Sequence, residues 1–374
     1  MRYRPTVAEI NGYALAHNVK EFVRLAGNAK LMAVVKADAY GHGAPMCARI
    51  ALANGAAAVA VATAEEALEL RRHAVTGEIL VLGAVLGREA MEALIKDEVA
   101  FPVYSMDQLE EAEGAAERVG KPALLHIKLE TGFNRIGMDL ADLDAFLCRA
   151  KECSHVELQG MFTHFATADE ADDSFVDRQY RHMLEAEAIC GAQGVHPMIH
   201  VSNSAAITRY PDYRRDMVRL GISLYGCPPS DLLAGAADLW PVMSLKSAIV
   251  RLREAAPGEA VGYGCTYRVK RPTLVATLPI GYADGYPRLL SNRGQVLVGG
   301  KRCPVIGRVC MDQMMVDVSG ITAHVGDPVV LLGKQGSERI TADELAELCG
   351  TISHEILTGI SGRVPREFVF DFEK

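Results

Sequence analysis

An α/β chain made of a (β/α)8 TIM-like barrel followed by a mostly β C-terminal domain is the architecture this sequence predicts, and three observations lead there. From residue 31 to about residue 226, short apolar runs alternate with longer segments of helical periodicity, the pattern of βα units around a parallel sheet. After Trp240 the segments become short and β-branched, separated by glycine, aspartate or proline, which is β-rich texture. The chain has 374 residues, too many for one ordinary core and enough for a barrel with a second domain.

In chain order, the run 6–10 precedes a helical segment and fits either domain. The eight candidate barrel strands lie near residues 31–35, 57–61, 79–82, 100–104, 123–129, Val156–Phe162, 198–201 and 216–220. Helical patterns lie between them, such as 64–73 with leucines at 68 and 70, and the long stretch Ser174–Ala192. Residues 230–239 look like a connection, which puts the boundary near residue 230 and gives domains 1–230 and 231–374. Beyond it, 274–280, Gln295–Val298, 314–318 and 328–332 read as strands. A helix over 341–348, capped by Thr341, interrupts them.

Composition narrows the function. Hydrophobic residues make up 49% of the chain, enough for a large core, and the formal net charge is -8. No dense basic run with interleaved aromatics is present, so a nucleic-acid surface is not expected. The most apolar stretch, residues 51–64, is interrupted by Asn54 and Gly55 and is too short for a membrane span. The polar opening lacks the order of a secretory signal. Nine scattered cysteines form no CxxC pair and have no histidine partner at zinc-finger spacing, so they predict reduced thiols, no metal site and a cytoplasmic protein. Small-molecule chemistry is the expectation.

The stretch AVVKADAYGHG, residues 33–43, ends an apolar run at Lys36 and enters a glycine-rich turn. A lysine alone at a strand end usually projects into water. Its amine can also deprotonate when poorly solvated and condense with an aldehyde, and Tyr40, Gly41, His42 and Gly43 surround it with groups suited to a ligand. Other reactive residues share its placement: Arg135 follows the fifth strand, His164 ends the sixth, Asn203 and Ser204 follow the seventh, and Arg219 ends the eighth. Singly, His164 reads as a core histidine, Arg219 as an ion-pair partner and Ser204 as a helix cap. Together they occupy strand carboxyl ends, the face that holds the active site in parallel barrels. Residues 202–204 open a short helix with free NH groups, and Gly221 with Ile222 follows the last strand. Both suit an anion, so a phosphate-bearing cofactor fits. In the β-rich part, Tyr263 lies between glycines in VGYGCTY, ordinarily a turn position, and Met311 with Asp312 closes an apolar run in RVCMDQ.

AVVKADAYGHG resembles the pyridoxal-phosphate attachment segment of the alanine racemases, and further matching pieces recur as far as Arg363. The resemblance implies pyridoxal 5'-phosphate as cofactor and an amino acid as small-molecule substrate. It also implies L- and D-alanine interconversion supplying peptidoglycan, and a head-to-tail homodimer with shared active sites. By resemblance, Lys36 carries the cofactor and is one catalytic base, and Tyr263 of the other subunit is the second. Racemisation needs such a pair on opposite faces of Cα, with tyrosine acting on the L substrate and lysine on the D. VRLGISLYG assigns Arg219 to the ring nitrogen. Gly221, Ile222, Tyr40 and Ser204 form the phosphate cradle, with Asn203 beside it. GMFTHFA assigns His164 to a network linking Arg219 with Tyr263. KLETGFNRIG and RVCMDQ place Arg135, Met311 and Asp312 near the substrate. Lys128 stands where some members carry a carbamylated lysine, and Asp169, Tyr282, Arg288 and Arg308 match the substrate corridor. Gly362 departs from the pattern, since well-known members have a tyrosine there that contacts the phosphate. That departure predicts a roomier or wetter pocket that accepts serine more readily. A serine or broad-specificity racemase and a pyridoxal-phosphate carrier are the alternatives. Basic amino-acid decarboxylases share the fold class, but Tyr263 with Arg219 favours proton return.

Overall fold

The computed structural model describes residues 3–370, so the extreme ends of the two expected domains, residues 1–2 and 371–374, lie outside the described residues. Two compact units emerge: residues 15–39 with 44–240, and residues 3–14, 40–43 and 241–370.

The first strand, β1 (Val7–Asn11), belongs to the β-rich unit. Eight strands then build the other unit: β2 (Lys30–Val34), β3 (Ala58–Val61), β4 (Glu78–Val81), β5 (Phe101–Val103), β6 (Ala123–Lys128), β7 (Val156–Phe162), β8 (Met198–His200) and β9 (Met217–Leu220). They pair in parallel as β4-β3-β2-β9 and β5-β6-β7-β8. Backbone bonds close both seams. Val81 N donates to Ala100 O (2.8 Å) and Ala100 N to Ile79 O (2.9 Å), while Arg219 N donates to Ser202 O (2.9 Å) and Asp216 N to Ile199 O (3.1 Å). The ring is the expected (β/α)8 barrel; β7 coincides with its expected run, and the other strands differ from theirs by about one residue at one or both ends. Helices start where caps allow. At Ala64–Arg72, Thr63 Oγ1 accepts from Glu66 N (3.3 Å) and the Glu66 carboxylate accepts from Thr63 N (3.3 Å), a reciprocal capping box.

The observed division falls after Trp240, beyond the expected boundary near residue 230. Buried Asn18 is the reason. Its amide donates to Leu224 O (3.1 Å) and Trp240 O (2.8 Å) and accepts from Trp240 N (2.9 Å), holding the connecting segment to the barrel.

The second unit continues with β10 (Met243–Ala248), β11 (Arg251–Ala255), β12 (Ala260–Val261), β13 (Tyr267–Arg268), β14 (Thr273–Leu278), β15 (Gln295–Val298), β16 (Lys301–Pro304), β17 (Met314–Asp317), β18 (Pro328–Gln335), β19 (Glu338–Ile340) and β20 (Arg366–Val369). The largest sheet runs β16-β15-β18-β10-β1-β20, with β19 on β18; β11-β14-β17 and the hairpin β12-β13 form two more. The run near residue 6 is therefore a strand of this unit, antiparallel to β10 and parallel to β20. Val261, Val269, Val275 and Ile306 make a buried cluster beneath the hairpin. The helix Ala342–Cys349 starts at Thr341, whose Oγ1 accepts from Glu344 N (3.0 Å).

Candidate functional site

Lys36 stands just past β2, and the chain there takes a path no apolar pattern announces. Ala37, Asp38, Ala39 and Tyr40 have φ of 51°, 52°, 54° and 53°, a left-handed turn made of non-glycine residues. Each costs roughly 1–2 kcal/mol against the right-handed form, so the turn must be held. Ala37 N donates to Glu66 Oε1 (2.6 Å), Ala39 N to Val35 O (2.8 Å) and Ala44 N to Asp38 Oδ1 (2.8 Å). Glu66 Oε2 also accepts from Ala62 N (2.7 Å), so one carboxylate ties the ends of β2 and β3 together. Gly41 and Gly43 have the positive φ their residue type allows, but the left-handed path begins at Ala37. Strain of this kind gathers at functional sites. Burial first, and then Arg135 and Arg219, push the Lys36 amine below the usual lysine range, against an opposing pull from Glu66.

Arg219, on β9, is buried. One terminal nitrogen donates to His200 O (2.5 Å) and faces His200 Nδ1 at 3.0 Å. The other donates to Thr163 O (2.7 Å) and Val201 O (3.0 Å) and faces His164 Nδ1 at 3.4 Å. Nε has no protein acceptor among the described residues. Burial, with Arg219 next, holds His164 and His200 well below the ordinary histidine pKa, so both are neutral acceptors. Phe162 stacks on His200 with centroids 4.8 Å apart and planes 7° apart.

Lys128, the last residue of β6, is buried with its Nζ 4.8 Å from the Phe162 centroid. Burial, then Arg219 and Arg135, lower its pKa to about 7. Arg135 lies over the Phe133 ring (4.2 Å) in a loop whose Glu130 accepts backbone bonds, including one from Gly132 N (2.5 Å). Buried Gln179, from the helix Ser174–Ala192, donates to His164 O (2.9 Å) and Thr131 Oγ1 (3.1 Å). Asn203 caps the short helix Ser204–Arg209 by accepting from Ala206 N (3.1 Å). Ser204 Oγ accepts from Gly221 N (2.8 Å), joining the two expected anion elements. Next to Ile222, Ser223 Oγ is buried without a partner among the described residues. Asp169 lies in the loop after β7, its carbonyl accepting from Ser230 Oγ (2.9 Å).

The second unit holds its own group. Tyr263 is 71% exposed at the tip of the β12-β13 hairpin, flanked by Gly262 and Gly264, each at φ 72°. Arg308 lies against Gly264. The Met311–Asp312 loop is pinned to the turn carrying Tyr282: Tyr282 N donates to Cys310 O (3.0 Å) and Ala283 N to Met311 O (3.0 Å). Arg363 donates to Asp312 Oδ1 (2.8 Å) and approaches Asp284 Oδ1 at 3.6 Å. Arg4 forks onto both Asp284 oxygens (2.6 and 2.5 Å). Burial works to raise the Asp284 pKa, but Arg4, the Gly281 NH and Arg363 outweigh it and lower the carboxyl. Arg288 opens a short turn, Arg288–Leu290, in the same unit. Tyr40 is buried, which pushes its phenol up to about 12 and keeps it a neutral donor.

Lys36, Lys128, Arg135, His164 and Arg219 thus share one electrostatic neighbourhood, and Met311, Asp312 and Arg363 share another. Sequence reasoning missed His200, Gln179, Glu66 and the Arg4–Asp284 pair. Glu66 carried a readable signal, the Thr-x-x-Glu capping box. His200 and Gln179 carried none stronger than a lone polar residue on an apolar face.

The descriptions "Alanine racemase, N-terminal domain" and "Alanine racemase, C-terminal domain" match residues 10–229 and 242–368. An "Alanine racemase 2" of Caldanaerobacter subterraneus subsp. tengcongensis is 44% identical over 373 residues, covering 98% of this chain and 95% of its own. Among solved structures, an alanine racemase of Clostridium difficile superposes with TM-score 0.94 at 37% identity, covering 100% of this chain and 98% of its own. One from Bacillus anthracis with bound L-Ala-P superposes with TM-score 0.94 at 38% identity, covering 100% and 97%. With both domains matched and the likeness running nearly end to end, the chain belongs to the alanine racemase family.

Proposed function

We propose that this chain interconverts L- and D-alanine with pyridoxal 5'-phosphate, using Lys36 and the partner subunit's Tyr263 as opposed bases. It works as a cytoplasmic homodimer with shared sites, supplying D-alanine for peptidoglycan. The observation that carries the reading is Arg219: its terminal nitrogens are spent on carbonyls and imidazoles, and Nε–H alone is left to meet a ligand. The donor set fits the cofactor. Lys36 Nζ would hold it, Arg219 Nε would face the ring nitrogen, and Tyr40, Ser204, Gly221 and Ile222 would take the phosphate with Asn203 in support. The orphaned Ser223 Oγ offers one more donor. When bound, pyridoxal 5'-phosphate supplies an aldehyde carbon that holds amines and a ring that draws electrons from Cα.

The rest of the chemistry falls to side chains. Lys36, its amine pKa lowered chiefly by burial, takes or returns the Cα proton on one face. Tyr263 Oη does so on the other, and its exposure at a hairpin tip suits delivery to a second copy. Arg219 keeps its own proton, because a guanidinium does not readily give one to pyridine. In this reading Arg135 lies near the substrate carboxylate and the Met311–Asp312 loop of the second copy near the substrate, while Asp169, Tyr282, Arg288 and Arg308 belong to the substrate corridor. Lys128, with pKa about 7, can add carbon dioxide: an N–C bond forms, a proton leaves, and the anionic carbamate pairs with Arg135.

Incubation with L-alanine in heavy water tests the reading. Loss of optical rotation with deuterium at Cα is expected; retention of both rotation and hydrogen counts against it. A serine-tolerant racemase is the second reading, favoured by the open space around Gly362, where an added Cβ meets nothing within 4 Å.

A further inference from the structure

His126 lies two residues before Lys128 on β6, so both face the same side of the strand, and its ring occupies space the fold makes for it. A Cβ at Gly160, its neighbour across the pair, would overlap the imidazole. Between Leu125 and His126 the register against β7 slips past Gln159, a bulge that re-aims side chains. His126 Nδ1 lies 2.9 Å from His200 Nε2, and His200 Nδ1 lies 3.0 Å from Arg219. His126 also borders a cavity of about 280 Å³ at the amino-terminal end of the barrel, shared with Met32, Glu78, Glu98, Gln159 and Met198.

We propose that His126 is a positioning residue that locks the tautomer of His200 and, through it, the orientation of Arg219. The logic is directional. Arginine only donates, so His200 Nδ1 must accept and its proton sits on Nε2. That proton is donated to His126 Nδ1, which leaves the His126 proton on Nε2. Among the described residues no protein atom hydrogen-bonds His126 Nε2, and the partly polar cavity has room for the water that would accept from it. Without an acceptor at His126, His200 can flip its proton to Nδ1 and turn a donor toward the guanidinium. Neutrality supports the chain: burial, then Arg219, lowers the His126 pKa to about 4. The link from Arg219 to catalysis rests on the function proposed above; the tautomer chain does not.

Nitrogen-15 NMR of histidine-labelled holoenzyme tests it. In the unaltered protein, both His200 and His126 should show a pyridine-type Nδ1 and a pyrrole-type Nε2. A protonated Nδ1 on His126 overturns the proposal without any variant. In His126→Leu, the His200 signals should average between tautomers and kcat for alanine should fall about tenfold with KM little changed. His126→Asn, which keeps an acceptor near Nδ1, should restore both. Unchanged His200 signals in His126→Leu overturn the proposal. The expected NMR change with unaltered kcat supports the tautomer lock and counts against the catalytic role of Arg219.

Discussion

Arg219 and Tyr263, the two sides of the proposed site, are built in opposite ways. Arg219 is sealed among carbonyls and neutral imidazoles contributed by neighbouring strands of its own barrel. Tyr263 stands 71% exposed on a two-stranded hairpin, set by a pair of glycines at positive φ. The barrel group finds acceptors for both terminal nitrogens within its own unit, because a buried donor must find an acceptor or cost stability, and Nε is left without one among the described residues. The hairpin group is a surface, and in the function proposed above a second copy completes it.

The comparison breaks most decisively at the two proposed bases. Lys36→Ala should lower kcat by about 10⁴-fold and Tyr263→Phe by about 10³-fold, the scale of removing a positioned acid or base. Mixing the two inactive variants under subunit exchange sharpens the result. If the hairpin serves a second copy, each mixed dimer holds one intact site, and a random mixture should recover roughly one quarter of the wild-type activity. No recovery would mean that Tyr263 serves its own chain.

These two halves were not equally legible. The barrel strands were readable because each is a short apolar run, and their carboxyl ends pointed to Lys36, His164 and Arg219. What the strands do inside was hidden. His126 and His200 sit singly in LHIK and MIHV, and only the barrel's closure brings their rings within hydrogen-bond distance. The left-handed turn at 37–40 was hidden for another reason. Alanine, aspartate and tyrosine give no hint of φ near 50°, since it is Glu66 and Asp38 that hold the path. In the second unit, Tyr263 between glycines already looked like a turn tip. The Arg4–Asp284 pair spans most of the chain and left no local trace.

Asp284 tests whether the exposed half has any scaffold of its own. Its carboxylate is sealed from solvent but close to the surface, and Arg4 and Arg363 converge on it. Asp284→Asn leaves two guanidiniums facing an amide. Because Arg4 is partly exposed, solvent offsets some of the loss, and destabilisation of about 2 kcal/mol is expected in chemical denaturation. With Arg363 released from Asp284, the Met311–Asp312 loop loosens and KM rises more than kcat falls. Unaltered stability would show that the loop relies on its backbone bonds alone.

The buried half has a matching signature in pH. Lys128 titrates at about 7 in the fold and at about 10.4 in an unfolded chain. Between those values the unfolded chain binds the extra proton, so stability rises with pH. The limiting slope is about 1.4 kcal/mol per unit, and the effect is complete above the unfolded value. Denaturation of unmodified protein in carbon-dioxide-free buffer from pH 7 to 9 should show this rise, and Lys128→Met should flatten it. A slope shared by both proteins would assign it to another group.

The smallest expected effect lies at Gly362, beside Arg363 in the exposed half. An added Cβ there meets nothing within 4 Å, and its φ lies outside the left-handed range, so a tyrosine can enter without backbone strain or overlap at its first atom. The neighbouring Arg363–Asp312 contact is itself exposed and able to adjust. Gly362→Tyr should therefore fold as well as the parent and act on selectivity alone. In the function proposed above, a phenol at this position should penalise the extra hydroxyl of serine by about 1 kcal/mol, roughly fivefold in the ratio of kcat/KM for alanine over serine. A ratio that stays the same before and after the change would place the determinant of side-chain size elsewhere.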